Sequence, residues 1–284
     1  MKNHINILVT LNEAYIPHLN TMLSSMIYHN QDCFFTVYLL HSSLCEETTA
    51  ETKRILGDLG ELVLIEAGEH GLEEAPTTDR FPTEMYYRIF AAKYLPKTVD
   101  KVLYLDPDII VNGSLKELYD ISLDKYYFAA ASHNGRVMRY INGIRLKMKK
   151  EAPYINSGVL LINVSLLRKE QNYGEVFEFI KKNKNRLFLP DQDVISTLYG
   201  DKIYRLDTFR FNMTERLYKY HCFFGDKKEL DWIRNNTVII HYCGRNKPWK
   251  DNYSGKLNVF YEETAERMGV KKTTERSVEY AQNI

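Results

Sequence analysis

Strand-sized apolar runs alternate with helix-periodic stretches through the first part of the chain, and this alternation restricts the possible folds more than any other feature does. Residues 5–11 read as a buried strand. Leu19, Met22, Leu23, Met26 and Ile27 then recur at helical spacing, which predicts an amphipathic helix over 17–29. Residues 34–40 form a second strand, 48–59 a helix stopped at Gly60, and 62–65 a third strand. Strand and helix in alternation predict an α/β fold with a parallel, doubly wound sheet, since parallel neighbours need a crossover between them. The 284 residues suffice to bury about three quarters of the unfolded surface, enough for such a core.

The stretch KVLYLDPDII, residues 101–110, carries the chemistry. Val102, Leu103, Tyr104 and Leu105 have the composition of a buried strand. Pro107 cannot donate to a sheet ladder, so the strand ends there and leaves Asp106 and Asp108 at its carboxyl end. Open α/β sheets bind their ligands at that end. Two acids one residue apart repel unless a cation or hydrogen-bond donors separate them. Oxygen ligands at this spacing suit magnesium or manganese with a phosphate in the remaining positions. An acidic turn in which Asp108 caps a backbone amide fits the same residues.

The first strand-to-helix turn, Thr10-Leu-Asn12-Glu-Ala14-Tyr15, has no GxGxxG and so argues against a dinucleotide enzyme. Asn12 there suits either a nucleobase edge or a local Asx turn or helix cap. Residues 68–82 are turn-rich, as in a surface loop or flap beside a site. A helix over 83–94, ended by Pro96, carries Arg88 among apolar neighbours; a buried arginine needs a phosphate or a structural carboxylate. Strands follow at 128–131 and 159–162, separated by a basic, loosely patterned cover at 135–153. In Ile155-Asn156-Ser157-Gly158, the glycine permits close backbone approach and Asn156 offers an amide to a ligand hydroxyl. Helices are predicted over 175–184 and 189–199, the second opening with Pro190-Asp191-Gln192-Asp193, where acids in a first turn also serve ordinary capping. After a short strand at 238–240 comes HYCGRNKPW: His241 is placed either to complete a metal site or to act as a structural histidine, and Gly244 and Lys247 to meet a phosphate.

Composition excludes several classes. A net charge of +1 lacks the basic footprint of a nucleic-acid binder. Cys33, Cys45, Cys222 and Cys243 show no CxxC spacing, so neither a zinc site nor a disulfide framework is implied, and reduced thiols in the cytoplasm are expected. No window approaches the roughly 20 apolar residues of a membrane span, and the amino-terminal run is too short for a signal peptide. The polar tail from Lys271 is basic but poor in aromatics, which implies at most peripheral contact at the inner face of a membrane.

Taken in order, YYR at 86–88, LYLDPDIIV, INSGVLLIN, LPDQD and HYCGRNKPW resemble glycosyltransferase family 8, with bacterial lipooligosaccharide galactosyl- and glucosyltransferases nearer than glycogenin. The resemblance runs from Ile5 to about Trp249. It implies a Rossmann-like GT-A fold with a mixed central sheet: a catalytic domain over 1–250, its nucleotide-binding half at 1–110 and acceptor-side half at 111–250, with a polar or helical extension over 251–284. It implies a retaining hexosyltransferase that uses UDP-glucose or UDP-galactose, a glycan or glycolipid acceptor, and manganese, or magnesium in its place. By position, Asp106, Asp108 and His241 would ligate the metal, and Gly244 and Lys247 would contact the diphosphate. Thr10 and Asn12 would face the uridine, while Arg88, Asn156, Asp191 and Gln192 would line the donor sugar. This chain departs from the pattern where relatives carry Asp in place of Asn12 and Asn in place of Ala14. Asp191, Gln192 and Asp193 are the catalytic candidates. The Gln192 amide is a poor nucleophile, which favours same-face attack over a covalent adduct, with Asp193 the nearest alternative. A dehalogenase-like phosphatase and a non-catalytic sugar-nucleotide sensor are the competing classes. The first normally carries its acids on the first strand, and the second has no need of the full residue set.

Overall fold

The computed structural model describes residues 2–68, 72, 75–78, 82–132, 136–149, 151–223 and 229–269. Most of the expected 68–82 flap, part of the 135–153 cover and the tail from Lys271 therefore lie outside the described residues.

Strand β1 (Asn3–Thr10) leads through a 3-10 turn into α1 (Ile16–His29). β2 (Cys33–His41), α2 (Ala50–Leu56) and β3 (Gly60–Glu66) follow as expected. The predicted 83–94 helix is present but broken: α3 (Glu84–Tyr87) and α4 (Ala91–Tyr94) flank a 3-10 turn that contains Arg88. β4 (Lys101–Leu105) then meets β5 (Ile109–Val111) across the Asp106-Pro107-Asp108 bend.

Beyond α5 (Lys116–Tyr119) and β6 (Phe128–Ala130), the loose cover of the sequence reading is a helix, α6 (Arg136–Leu146). β7 (Val159–Asn163), α7 (Val164–Glu170), α8 (Tyr173–Asn183), α9 (Pro190–Leu198) and β8 (Ile203–Arg205) complete the main sheet. The remaining elements are α10 (Thr208–Phe211), α11 (Glu215–Phe223), α12 (Leu230–Asn236), β9 (Ile239–His241) and α13 (Asn258–Arg267).

The seven strands run β3-β2-β1-β4-β7-β6-β8. β3, β2, β1 and β4 are parallel, as the alternation requires. β7 runs antiparallel to both β4 and β6, so the sheet is mixed rather than uniformly parallel. The composition of β4 explains its central place: Leu103 and Leu105 enter the core on one face, with Leu19, Leu23 and Phe35, while Val102 and Tyr104 enter the other, with Tyr86, Phe90 and Val194. A strand buried on both faces needs a continuous apolar run. A third apolar cluster joins Ile110, Ile240 and Tyr242 to Leu257 and Phe260 beside α13.

Two registers position the acids. Leu105 pairs with Val159, and the Asp106 amide donates to the Gly158 carbonyl at 2.8 Å. The separate β5–β9 ladder pairs Ile109 with His241. The Asp-Pro-Asp bend is thus held from one side by β7 and from the other by β9.

Candidate active site

Asp106, Asp108 and His241 each present a ligand atom, and all three lie within 4.8 Å of one another. His241 Nε2 is 3.1 Å from Asp108 Oδ1 and 3.6 Å from Asp106 Oδ2. The Asn212 amide oxygen lies 3.0 Å from His241 Nδ1, and the amide nitrogen of Asn212 donates to Asn156 Oδ1 at 2.9 Å. That network makes Nδ1 the protonated ring nitrogen, which leaves the Nε2 lone pair toward two carboxylates. Buried Nε2 and Asp108 Oδ1 have no hydrogen-bond partner of acceptable geometry. A lone pair among acids is repulsive by itself, and a divalent cation resolves it. The donor set, two carboxylates and one imidazole, therefore fits a metal ion.

The acids are anchored from behind. Asp106 Oδ1 accepts from Tyr104 at 2.6 Å and from Arg88 Nη1 at 2.9 Å. Arg88 Nη1 also reaches Asp191 Oδ2 at 3.1 Å, and its guanidinium lies 4.3 Å from the centre of the Tyr104 ring. Of the two partners expected for Arg88, the structure supplies carboxylates. Lys247 bonds Asp108 Oδ2 and, at 3.0 Å, the Tyr242 carbonyl. Burial works to raise the Asp108 pKa, but the positive charge beside it, from Lys247 and from the His241 ring whenever that is doubly protonated, holds the carboxyl well below its ordinary range. Burial also works against the Lys247 charge, and the Asp108 carboxylate more than offsets this, raising the ammonium pKa.

Gly158 closes the site sterically. A Cβ there would stand 2.2 Å from His241 Cε1 and 2.6 Å from Asp106 Oδ2. The close approach expected of this glycine is therefore to the acid–imidazole cluster. Its amide donates to Asn156 Oδ1 at 3.1 Å. Asn156 in turn donates to Gln192 Oε1 at 3.0 Å, and Ser157 bonds Asp191 Oδ2 through its hydroxyl at 2.6 Å. Asn156, Asp191 and Gln192 are thereby joined to the acid cluster through Asn212, Gly158 and Arg88. Burial raises the Asp191 pKa against the opposing pull of Arg88.

Asp193 stands apart from this set. It is fully buried, and its oxygens accept from Arg145 at 2.7 and 2.9 Å, from Tyr154 at 2.8 Å and from the Phe188 amide at 2.7 Å. Its lone pairs are committed to tying α6 onto the start of α9.

Thr10 is buried and lies 3.3 Å from the Tyr104 hydroxyl, the same hydroxyl that donates to Asp106. Asn12 makes no side-chain cap, and its Oδ1 is buried without a partner, so the capping alternative is not the one adopted. Gly244 has φ +101°, the left-handed region that favours glycine, with open space where a Cβ would be.

Tyr104, Ser157, Asn212 and His18 also take part in or border the cluster, without a motif that assigns them a role. His18 stacks on Trp249 with centroids 3.6 Å apart and planes at 16°. Burial, then the Lys247 charge, push its pKa down to about 4. A histidine just after the proline of the first β-to-α turn was the one available signal.

Comparison with known proteins agrees with this architecture. The model of the family described as "Glycosyl transferase family 8" matches residues 6–253. A lipopolysaccharide 1,2-glucosyltransferase of Escherichia coli is 24% identical over 265 residues, covering 86% of this chain and 73% of that protein. Glycosyltransferase GlyF of Streptococcus pneumoniae is 27% identical over 266 residues, covering 90% of this chain and 60% of that protein. Galactosyltransferase LgtC, solved in complex with donor and acceptor sugar analogs, superposes with a TM-score of 0.79 at 22% identity, covering 97% of this chain and 99% of its own. That likeness identifies the fold as GT-A. With the match extending over most of its length, the chain belongs to glycosyl transferase family 8.

Proposed function

We propose that the protein transfers glucose or galactose from a UDP-sugar to a hydroxyl of a glycan or glycolipid acceptor, with retention of configuration and dependence on manganese, for which magnesium could substitute. The observation that carries this reading is the Asp106–Asp108–His241 cluster with its partnerless Nε2 and Oδ1 atoms, and with Lys247 alongside. The names of the LgtC complex and of the 1,2-glucosyltransferase support a sugar donor and a sugar acceptor.

A divalent ion held by the three ligands would offset charge developing on the departing diphosphate. Lys247, kept protonated by Asp108, adds a fixed positive charge on the same side, with Gly244 leaving its backbone open to phosphate. Asn12 Oδ1 is an unused acceptor for a uracil N–H, and Thr10 acts through Tyr104 on Asp106. Arg88, Asn156, Asp191 and Gln192 would surround the hexose. Gln192 Oε1 accepts from both Asn156 and the Ser157 amide, so its orientation is fixed and its nucleophilicity low. That supports attack from the face of departure, the acceptor proton passing to the leaving phosphate, with Gln192 shielding the cationic sugar. Asp193, saturated by donors, acts as a brace in this scheme. The division into a nucleotide half over 1–110 and an acceptor half over 111–250 is part of the same reading.

The test is turnover of a panel of UDP-hexoses with and without manganese, beside a phosphomonoester. Metal-dependent release of UDP, lost in Asp108→Ala, is expected. Phosphomonoester hydrolysis in its place, or UDP-sugar binding without turnover, would refute the proposal.

A further inference from the structure

The outer face of α6 carries none of the site residues described above. Leu146 and Asn142 are buried on one side of this helix, whereas Tyr140, Ile141 and Ile144 are 71%, 49% and 64% exposed. At 100° per residue the exposed three span one stripe opposite the buried pair. Phe188, 67% exposed, lies against the same helix, its ring 4.5 Å from the Arg145 guanidinium. Ile141 and Ile144 are the exposed large aliphatic side chains among the described residues, so their occurrence on one stripe is not background scatter.

Among the described side chains of residues 140–149 and 181–188 the charged ones are all basic, and Lys149 and Lys182 are partnered by acids from outside these segments, Lys149 by Asp201 and Lys182 by Glu178. Lys147, Lys184 and Arg186 are exposed. Arg145 is committed to Asp193, which fixes α6 rigidly to the body of the protein and keeps its apolar stripe outward.

We infer that α6 with Phe188 is a docking surface for an anionic lipid bilayer. Aliphatic side chains on one helix face, a tyrosine beside them and long basic side chains around them match a helix lying in the headgroup region: the isoleucines enter the acyl boundary while the lysines reach phosphate. A second copy of this chain would bring the same positive charge against itself, which disfavours self-association through this face. Docking here goes beyond the transfer reading and does not depend on it.

The experiment is co-sedimentation of the full chain with vesicles of phosphatidylcholine alone or with phosphatidylglycerol added, in the absence of any donor or acceptor. Binding is expected with the anionic vesicles, at least tenfold weaker in Ile141→Asp/Ile144→Asp and in Lys147→Glu/Lys184→Glu, and retained in Lys271→Gln/Lys272→Gln, which alters only the tail. The melting temperature of the isoleucine variant in solution should match that of the wild type, which reports that it folds. A Tyr140→Trp chain supplies an independent readout, its emission shifting to the blue on anionic vesicles. Absence of wild-type binding, binding undiminished in the isoleucine variant, loss through the tail substitutions alone, or a dimer that the isoleucine variant converts to monomer would each overturn the inference. Since no step uses sugar transfer, failure here leaves the proposed reaction standing, and failure of that reaction leaves this surface standing.

Discussion

Gly158 and His241 approach so closely that a methyl group on the glycine would lie 2.2 Å from the imidazole Cε1. The same methyl would crowd Asp106 Oδ2 at 2.6 Å, so either the imidazole or the carboxylate must move. Gly158→Ala should therefore disperse the ligand cluster while the sheet, whose ladder uses only the backbone here, stays intact. We expect manganese affinity and turnover to fall by about 100-fold, in line with loss of a positioned metal ligand. Calorimetric titration with manganese checks this; unchanged affinity would show that the cluster tolerates the methyl.

Asn212 sets the His241 tautomer by taking the proton of Nδ1 in a hydrogen bond. Removing such a partner typically weakens metal binding 10–100-fold. Asn212→Ala should show a loss in roughly that range, and Asn212→Asp, which keeps the acceptor, should recover much of it. Equal losses in both variants would assign Asn212 a packing role instead.

The partly exposed Arg145 and the buried Asp193 form a doubly bonded pair that ties α6 to α9. Truncating Arg145 to alanine strands a buried carboxylate, at a cost of about 3–5 kcal/mol. For a chain of this size that corresponds to a melting temperature lower by roughly 6–20 °C. Asp193→Asn should lose stability as well, yet retain measurable turnover if the residue is a brace. A covalent sugar adduct on Asp193 in the wild type would contradict that reading.

His18 gives a pH dependence whose sign follows from linkage. Its pKa is lowered from the ordinary 6.5 to about 4, so between those values the unfolded chain binds a proton that the folded chain refuses. Stability from this residue is intact above pH 6.5 and declines as pH falls toward 4. The difference is on the order of 3 kcal/mol before allowance for partial exposure. His18→Phe keeps a ring against Trp249 without a proton to bind, so its melting temperature should fall less than that of the wild type across this window. Parallel profiles would exclude His18 as the source.

The alternation of apolar runs and helical periods, read locally, was enough for β1 to β4, α1 and the crossovers between them, since burial of both sheet faces forces those residue patterns. The acids after β4, and the ordered motifs that include His241 and Lys247, were legible for the same reason: Pro107 and the short strand before His241 mark where ladders stop. What remained hidden depends on partners far along the chain. Residues 136–146, loosely patterned to the eye, form a helix whose anchor on the body, Asp193, lies 48 residues beyond Arg145. The reversed direction of β7, the pairing of Ile109 with His241 and the insertion of Gly158 between imidazole and carboxylate are relations between segments that no local period encodes. Residue type and motif order already pointed to Asp106, Asp108 and His241 as a metal-sized set; only packing decided that Asp191 meets Arg88 and that Asp193 holds a helix in place.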